Sequence, residues 1–197
     1  DAARSWGVPV VPVDPVAGPA VGLGATIVPV LVLLERLGFV SGMTRTVSEA
    51  ADRLGRRIDD LLDDEKVRQL ATVLPGRVAL VTAAGSIGKH AARRWVQELD
   101  RVGGVSAVRR RLPTGRTDVE TGLRLHSSTA NGVVLVMLRH AAEPAGLDGG
   151  VLLAREHFEH VFEIQAQGEG PLAQLLDLVL VGDAVAAVLI EDAEATD

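Results

Sequence analysis

Cysteine and tyrosine are both absent from the 197 residues, and aromatic side chains make up only 3% of them. Without cysteine there is no disulfide, no thiolate metal site and no sulfur nucleophile, so the folded state rests on its apolar core. Without tyrosine, chemistry that needs a phenol as proton donor is excluded. Positive charge is also scarce. The formal net charge is −6, against the concentrated basic face that nucleic acid requires. Lysine contributes only 2 of the 20 basic residues, and the excess of Arg, Ala, Val and Gly reflects the codon bias of a GC-rich genome rather than any chemistry. No secretory signal is visible and none is expected, since the residues "DAARSW" are not a basic start followed by an apolar core. A cytoplasmic protein is expected. What remains is globular, 47% apolar and 23% charged, with room for one full domain plus a remnant or two very small domains.

The membrane candidate is Pro19 to Leu34, "PAVGLGATIVPVLVLL". It is short for a span, contains Gly22, Gly24 and Pro29, and runs into Glu35-Arg36. A helix from about Ala20 to Gly38, buried on all sides, is predicted instead of a membrane segment. Ahead of it, "VPVVPVDP" (Val8 to Pro15) reads as a strand with nothing before it to pair with, as if the fold were entered part-way. Thr46-Val47-Ser48-Glu49 has the form of a capping box. It precedes Val47, Ala50, Ala51, Leu54, Ile58, Leu61 and Leu62 at steps of three and four, an amphipathic helix. A shorter helix, Glu65 to Leu74, stops at Pro75-Gly76.

From Arg77 the pattern alternates. Val78–Val81 and Val133–Leu138 are unbroken apolar runs, as in strands covered on both faces, and Val161–Ile164 is a third candidate. Helices are predicted at Ile87–Leu99, around Val151–His160, and at Pro171–Ile190. The alternation predicts an α/β fold, a parallel sheet flanked by helices in three layers. Ligands of such sheets sit beyond the carboxyl ends of the strands, here Thr82–Ser86, Arg139–His140 and the loop after Ile164.

The first of those ends lies in "RVALVTAAGSIGKHAARRWVQELD". Its glycines do not make a dinucleotide fingerprint, because Ala83 stands where the first glycine is needed and Gly85 and Gly88 are three apart. The missing tyrosine removes the proton donor of short-chain dehydrogenases as well. No nicotinamide or other cofactor is expected. A smaller anion suits the loop: Thr82 and Ser86 offer hydroxyls, the amides around Gly85 face its mouth, and Lys89 follows one turn in. The alternative is a compact turn in which Ser86 only caps the helix. "REHFEH" pairs His157 with His160 but places no third ligand, so a solvated helix face is expected and no metal. "SAVRRRLPTGR" gathers Arg109, Arg110, Arg111 and Arg116, either as an exposed basic loop or as phosphate-gathering arginines near the sheet edge. "HSSTANG" (His126 to Gly132) is expected to be a plain loop.

Taken in order, several segments resemble the later part of the bifunctional phosphoglucose/phosphomannose isomerase family, built from two SIS (sugar isomerase) domains. They are "GVPVVPV", then "GPAVGLG" followed by a helix ending "LLERLG", the loop segment just quoted, "RRLPTGRTDVETG", and "LLDLVLVGDAVAAVL". The resemblance implies the end of a preceding SIS domain plus connecting helices over 1–75 and a C-terminal SIS domain over 76–197. It also implies a phosphosugar ligand of the glucose 6-phosphate or mannose 6-phosphate type, met by the loop residues Thr82, Gly85, Ser86 and Lys89. Pro19–Leu34 is too apolar to lie bare on a soluble monomer, so a homodimer, or burial against a preceding domain, is expected. The family's catalytic positions are substituted. Ala20 stands for the motif arginine, Arg101 for the base that moves the proton between C1 and C2, and Thr117 for the ring-opening histidine. A C-terminal lysine has no counterpart, since Lys89 is the last in the chain. Arginine stays protonated and cannot serve as the base. The substitutions match a divergent, TobH-like branch that binds phosphosugar with impaired or no turnover. Two alternatives stand beside it: an active isomerase using another carboxylate such as Glu98, three residues before Arg101, or a half whose work is dimerisation.

Overall fold

The computed structural model describes residues 5–7, 10, 18–111, 132–145 and 147–195. The elements are α1 (Gly18–Arg36), α2 (Met43–Leu62), α3 (Glu65–Val73), β1 (Val78–Ala83), α4 (Gly85–Arg101), β2 (Ala107–Arg111), β3 (Val133–Arg139), α5 (Asp148–His157), β4 (His160–Gln165) and α6 (Gly170–Glu194). Two compact units result, Asp1–Asp52 and Arg53–Asp197.

In the first unit, Pro29 lies inside α1. The expected burial on all sides is not seen for the described side chains within this unit. No described side chain of α1 is buried, and Val30 and Leu33 are each 55% exposed. The capping box at Thr46 does not form either. α2 begins three residues earlier, after Gly42 at φ +73°, so Thr46 falls inside its first turn and its hydroxyl donates back to the Gly42 carbonyl at 2.9 Å. The orphan amide of Thr44 is satisfied by the Glu35 carboxylate at 2.8 Å instead. Hydrogen bonds from the Thr44 hydroxyl and amide hold the Glu35 carboxyl below the usual range.

The second unit holds a four-stranded sheet in the order β2-β1-β3-β4, with every described pair parallel. Val78 pairs with Val133 and the register runs on to Ala83 with Leu138. Alternation along these strands sends Ala79, Val81, Val134, Val136 and Leu138 to one face, under α3, α4 and α6. Leu80, Leu135 and Met137 face the other way, against Leu147, Val151, Ala154 and Phe158 in and around α5. This makes the three layers, and covering on both faces explains the unbroken apolar runs of β1 and β3. Leu61, Val67, Leu70, Ala71 and Leu74 join the same core as the sheet, so the end of α2 and all of α3 pack with it. α3 is capped by Asp64, whose carboxylate accepts from Lys66 N at 2.8 Å and Val67 N at 3.2 Å. The predicted helix at Val151–His160 is shifted: α5 ends at His157 and His160 opens β4. The His157–His160 pair therefore shares no helix face.

α4 and α6 lie against each other through Trp95, which has no exposed surface and sits with Ile87, Ala91 and Leu99 on the buried face of α4. Its indole Nε1 donates to the Leu178 carbonyl at 2.6 Å. A Cβ on Gly182 would lie 2.7 Å from that nitrogen, so only glycine lets the ring seat. Among the described residues α6 alone is long and apolar enough to cross a membrane, and its apolar residues from Leu178 to Leu189 are in this core. Gly182→Ala should destabilise the domain by about 1–3 kcal/mol, because the displaced ring has no space to take up. Gly55→Ala, on an exposed stretch of α2 with nothing within 4 Å, should instead be neutral or stabilise by up to about 1 kcal/mol. Urea denaturation followed by tryptophan fluorescence compares the two; equal effects would refute the packing argument.

Candidate functional site

The strand order reverses between β1 and β3, the switch point beside which α/β sheets bind ligands. There β1 passes through extended Ala84 into α4. The turn is tight for identifiable reasons. Gly85 has φ +66°, and a Cβ there would also meet the ring of His140 at 3.2 Å. A Cβ on Gly88 would lie 2.7 Å from that of Ala83, so glycine brings the first turn of α4 down onto the strand. Ala84 offers no side-chain cap, and Ser86 is not the cap residue, which corrects the capping alternative for it. The amides of the first turn thus point outward without a capping side chain.

His140, directly after β3, is buried and its Nε2 lies 2.9 Å from the Ala84 carbonyl. A carbonyl only accepts, so Nε2 carries the proton and the imidazole fastens the end of β1 to the end of β3. Its Nδ1 has no hydrogen-bond partner among the described residues. Further ties hold the same edge of the sheet. Glu143 accepts from His140 N at 3.1 Å and from Arg139 Nε at 2.8 Å, and Gln174 of α6 accepts from Ala141 N at 3.1 Å. Asp177, with no exposed surface, accepts from Gln167 N at 2.7 Å and contacts Arg57 at 2.6 Å in an ion pair off hydrogen-bond alignment. Burial pushes the Asp177 carboxyl up, opposed by the Gln167 amide, Arg57 and Arg53.

On the α4 side of this edge is a cavity of about 650 Å³ lined by Ala83, Gly85, Ser86, Lys89, Ala92, Arg109 and Arg110. Three of the four residues expected to hold ligand, Gly85, Ser86 and Lys89, are brought together there. Thr82 is not among them. It shares its face of the strand with Leu80, and its hydroxyl donates to the Val136 carbonyl at 3.3 Å. Arg109 and Arg110 come from β2, an edge strand that the sequence presents only as a run of arginines. Arg109 Nη1 donates to the Lys89 carbonyl at 3.3 Å, which anchors the strand to the helix. No described lining residue is a carboxylate.

Residues 63–192 match the family described as the bacterial phospho-glucose isomerase C-terminal SIS domain. The chain belongs to that family. Among curated proteins none matches it. Of solved structures, the SIS domain is similar to a glucose-6-phosphate isomerase-like protein from Thermus thermophilus, with 15% identity over 73% of this chain and a TM-score of 0.50. The match spans 53% of the Thermus protein, about half its length. A proposed sugar-phosphate isomerase from Listeria monocytogenes matches over 76% of this chain and 92% of its own, with 10% identity and a TM-score of 0.53. The NanR protein of Vibrio vulnificus, solved in complex with ManNAc-6P, matches over 98% of this chain and 78% of its own, with 13% identity and a TM-score of 0.50. At these identities the likeness is one of fold.

Of the family-derived catalytic positions, only Arg101 lies in the described part of the second unit. Ala20 is in the first turn of α1 and its side chain lies outside the described residues, as does all of Thr117. Arg101 ends α4, sixteen residues or about 24 Å beyond Gly85 at 1.5 Å per residue. Glu98 is buried and held by Arg94 at 2.8 Å, with Asp183 of α6 on the other side of the guanidinium at 3.5 Å. It stands thirteen residues along α4 from Gly85 and does not line the cavity. No group of three metal-ligating side chains occurs among the described residues.

Burial raises the Asp183 carboxyl from 3.8 to about 6, with Arg94 opposing and Glu98 adding to the rise. Its folded value is above the unfolded one, so the native state binds more protons between the two. Stability should therefore fall as pH rises from about 4 to about 6 and then level off. Asp183→Asn should flatten that slope in thermal melts across the same interval. A slope unchanged in the variant would assign the pH dependence to another group.

Proposed function

We propose that this SIS domain binds a phosphorylated sugar by its phosphate, of the glucose 6-phosphate or mannose 6-phosphate type, and has little or no isomerase activity of its own. One observation carries the reading. Ser86, Lys89, Arg109 and Arg110 converge with the uncapped first turn of α4 on a single cavity, and no described carboxylate shares it. Cations and outward amides suit a phosphate. Moving a proton between C1 and C2 needs a base at the sugar, and the described cavity supplies none. The ManNAc-6P complex of the Vibrio protein, on a similar fold, supports a phosphosugar as the ligand class. Thr82 contributes by fixing the end of β1, not by touching the ligand. The binding reading involves no cofactor, metal, nucleic acid or membrane, and a cytoplasmic location accords with a sugar phosphate as ligand.

Self-association belongs to the same proposal. Val30, Leu33, Leu37 and Phe39 are between 55% and 75% exposed, an apolar surface of the kind that marks interfaces. The chain should sediment as a dimer, and Leu33→Asp with Val30→Asp should shift it to monomer; a monomeric parent chain would remove this part of the proposal.

Binding is tested by thermal shift and calorimetry. Glucose 6-phosphate or mannose 6-phosphate should raise the melting temperature, whereas unphosphorylated glucose and mannose should not. Lys89→Ala and Arg110→Ala should each weaken Kd about 10- to 100-fold, the worth of a charge-assisted hydrogen bond. Equal stabilisation by the free sugars would overturn the reading. In a coupled assay the chain should not interconvert glucose 6-phosphate and fructose 6-phosphate. Activity abolished by Glu98→Gln would show that the turnover part is wrong.

A further inference from the structure

A second, smaller cleft of about 300 Å³ adjoins the phosphate cavity and shares two of its walls, Lys89 and Arg109. Its other lining residues are His90, Arg93, Val96 and Gln97. Together the two spaces are bordered by Lys89, His90, Arg93, Arg109 and Arg110, and no described carboxylate lines either. Among the described residues, none of Lys89, Arg93, Arg109 and Arg110 forms an ion pair with a carboxylate, although acidic residues outnumber basic ones by 26 to 20 over the chain. Cations from this set line each of the two spaces, so an anionic group can be met in both.

The spacing has a reason. Lys89 and Arg93 are four residues apart and therefore lie on the same side of α4. Ser86 and Arg93 are separated by about 10 Å along the helix axis. A hexose bearing an anionic group at each end spans a comparable length. Arg109, fixed to the Lys89 carbonyl, stands where the two spaces meet.

We propose that the cleft at Arg93 is a second anion subsite, and that the preferred ligand is a sugar bisphosphate rather than a monophosphate. The inference rests on the phosphate-binding reading above, since the first phosphate occupies the larger cavity. The second phosphate is held by Arg93 and His90, with Lys89 and Arg109 between the two groups.

The test compares fructose 6-phosphate with fructose 1,6-bisphosphate, and glucose 6-phosphate with glucose 1,6-bisphosphate, by calorimetry on the 197-residue chain at fixed ionic strength. Each bisphosphate should bind at least about 10-fold more tightly than its monophosphate, the worth of one further charge-assisted contact. Arg93→Ala with His90→Ala should abolish that advantage and leave monophosphate affinity within about twofold, which also shows that the variant is folded. Inorganic phosphate at equal charge should not reproduce the gain. Monophosphates binding as tightly as bisphosphates would overturn this inference and leave the phosphosugar reading intact. An advantage that survives in the Arg93/His90 double variant would overturn the placement. Failure of every phosphorylated sugar to bind would overturn both readings together.

Discussion

The seating of Trp95 against Gly182 fixes α4 along α6, and the position of α4 sets everything at the cavity. The indole is held by a hydrogen bond to a helix carbonyl, Leu178 O, and by the absence of a Cβ opposite it. At its other end the helix is pressed onto β1 through Gly88 and Ala83. Between these two glycine contacts α4 has little freedom to slide. Its first turn is thereby aimed past the end of the strand, with Ser86 and Lys89 on the open side. The energetic logic is that of close packing: two approaches too close for any side chain admit one arrangement, so cation placement is inherited from the core.

Electrostatics then divides the molecule. Where arginines are partly buried they are matched by carboxylates: Arg57 with Asp177, Arg94 with Glu98 and Asp183, Arg139 with Glu143 and Glu163. Breaking one side of such a pair leaves an uncompensated charge in a poor solvent, so these groups are committed to structure. On the α4 side of the sheet's carboxyl edge the pattern differs, and Lys89, Arg109 and Arg110 stand without described carboxylate partners. The field from a cluster of one sign attracts anions to that edge even though the whole chain is negative.

The strands and helices that bury apolar surface on a regular period were legible in the residues. Val78–Val81 and Val133–Leu138 are strands because helices cover both their faces, and the period of α4 places Ile87, Ala91, Trp95 and Leu99 inward. β2 was not legible, because a strand at the edge with three arginines in five residues has neither alternation nor an apolar run. The start of α2 was misplaced since the group that satisfies its amide, Glu35, lies nine residues before Thr44 and leaves no local signature. At the site, Ser86 and Lys89 follow from the loop itself. His140 does not, because its role depends on β3 lying beside β1, a pairing across 56 residues. Arg109 and Arg110 were visible as a cluster, but their meeting with α4 depends on the same strand order.

Binding a phosphosugar and turning it over make different physical demands on such a domain. Lys89, Arg109 and Arg110 would grip a phosphate equally in a bound sugar and in an enediol derived from it, because the phosphate does not change during isomerisation. Interactions of that kind lower the ground state and the transition state together and give affinity without rate. Acceleration needs a group whose interaction changes as the proton moves. Of the two carboxylates on α4, Glu98 pairs with Arg94 beside α6, and it, Asp100 and Arg101 all stand at the far end of the helix. The packing that places Ser86 and Lys89 at one end of α4 therefore also places Glu98 and Asp100 towards the other.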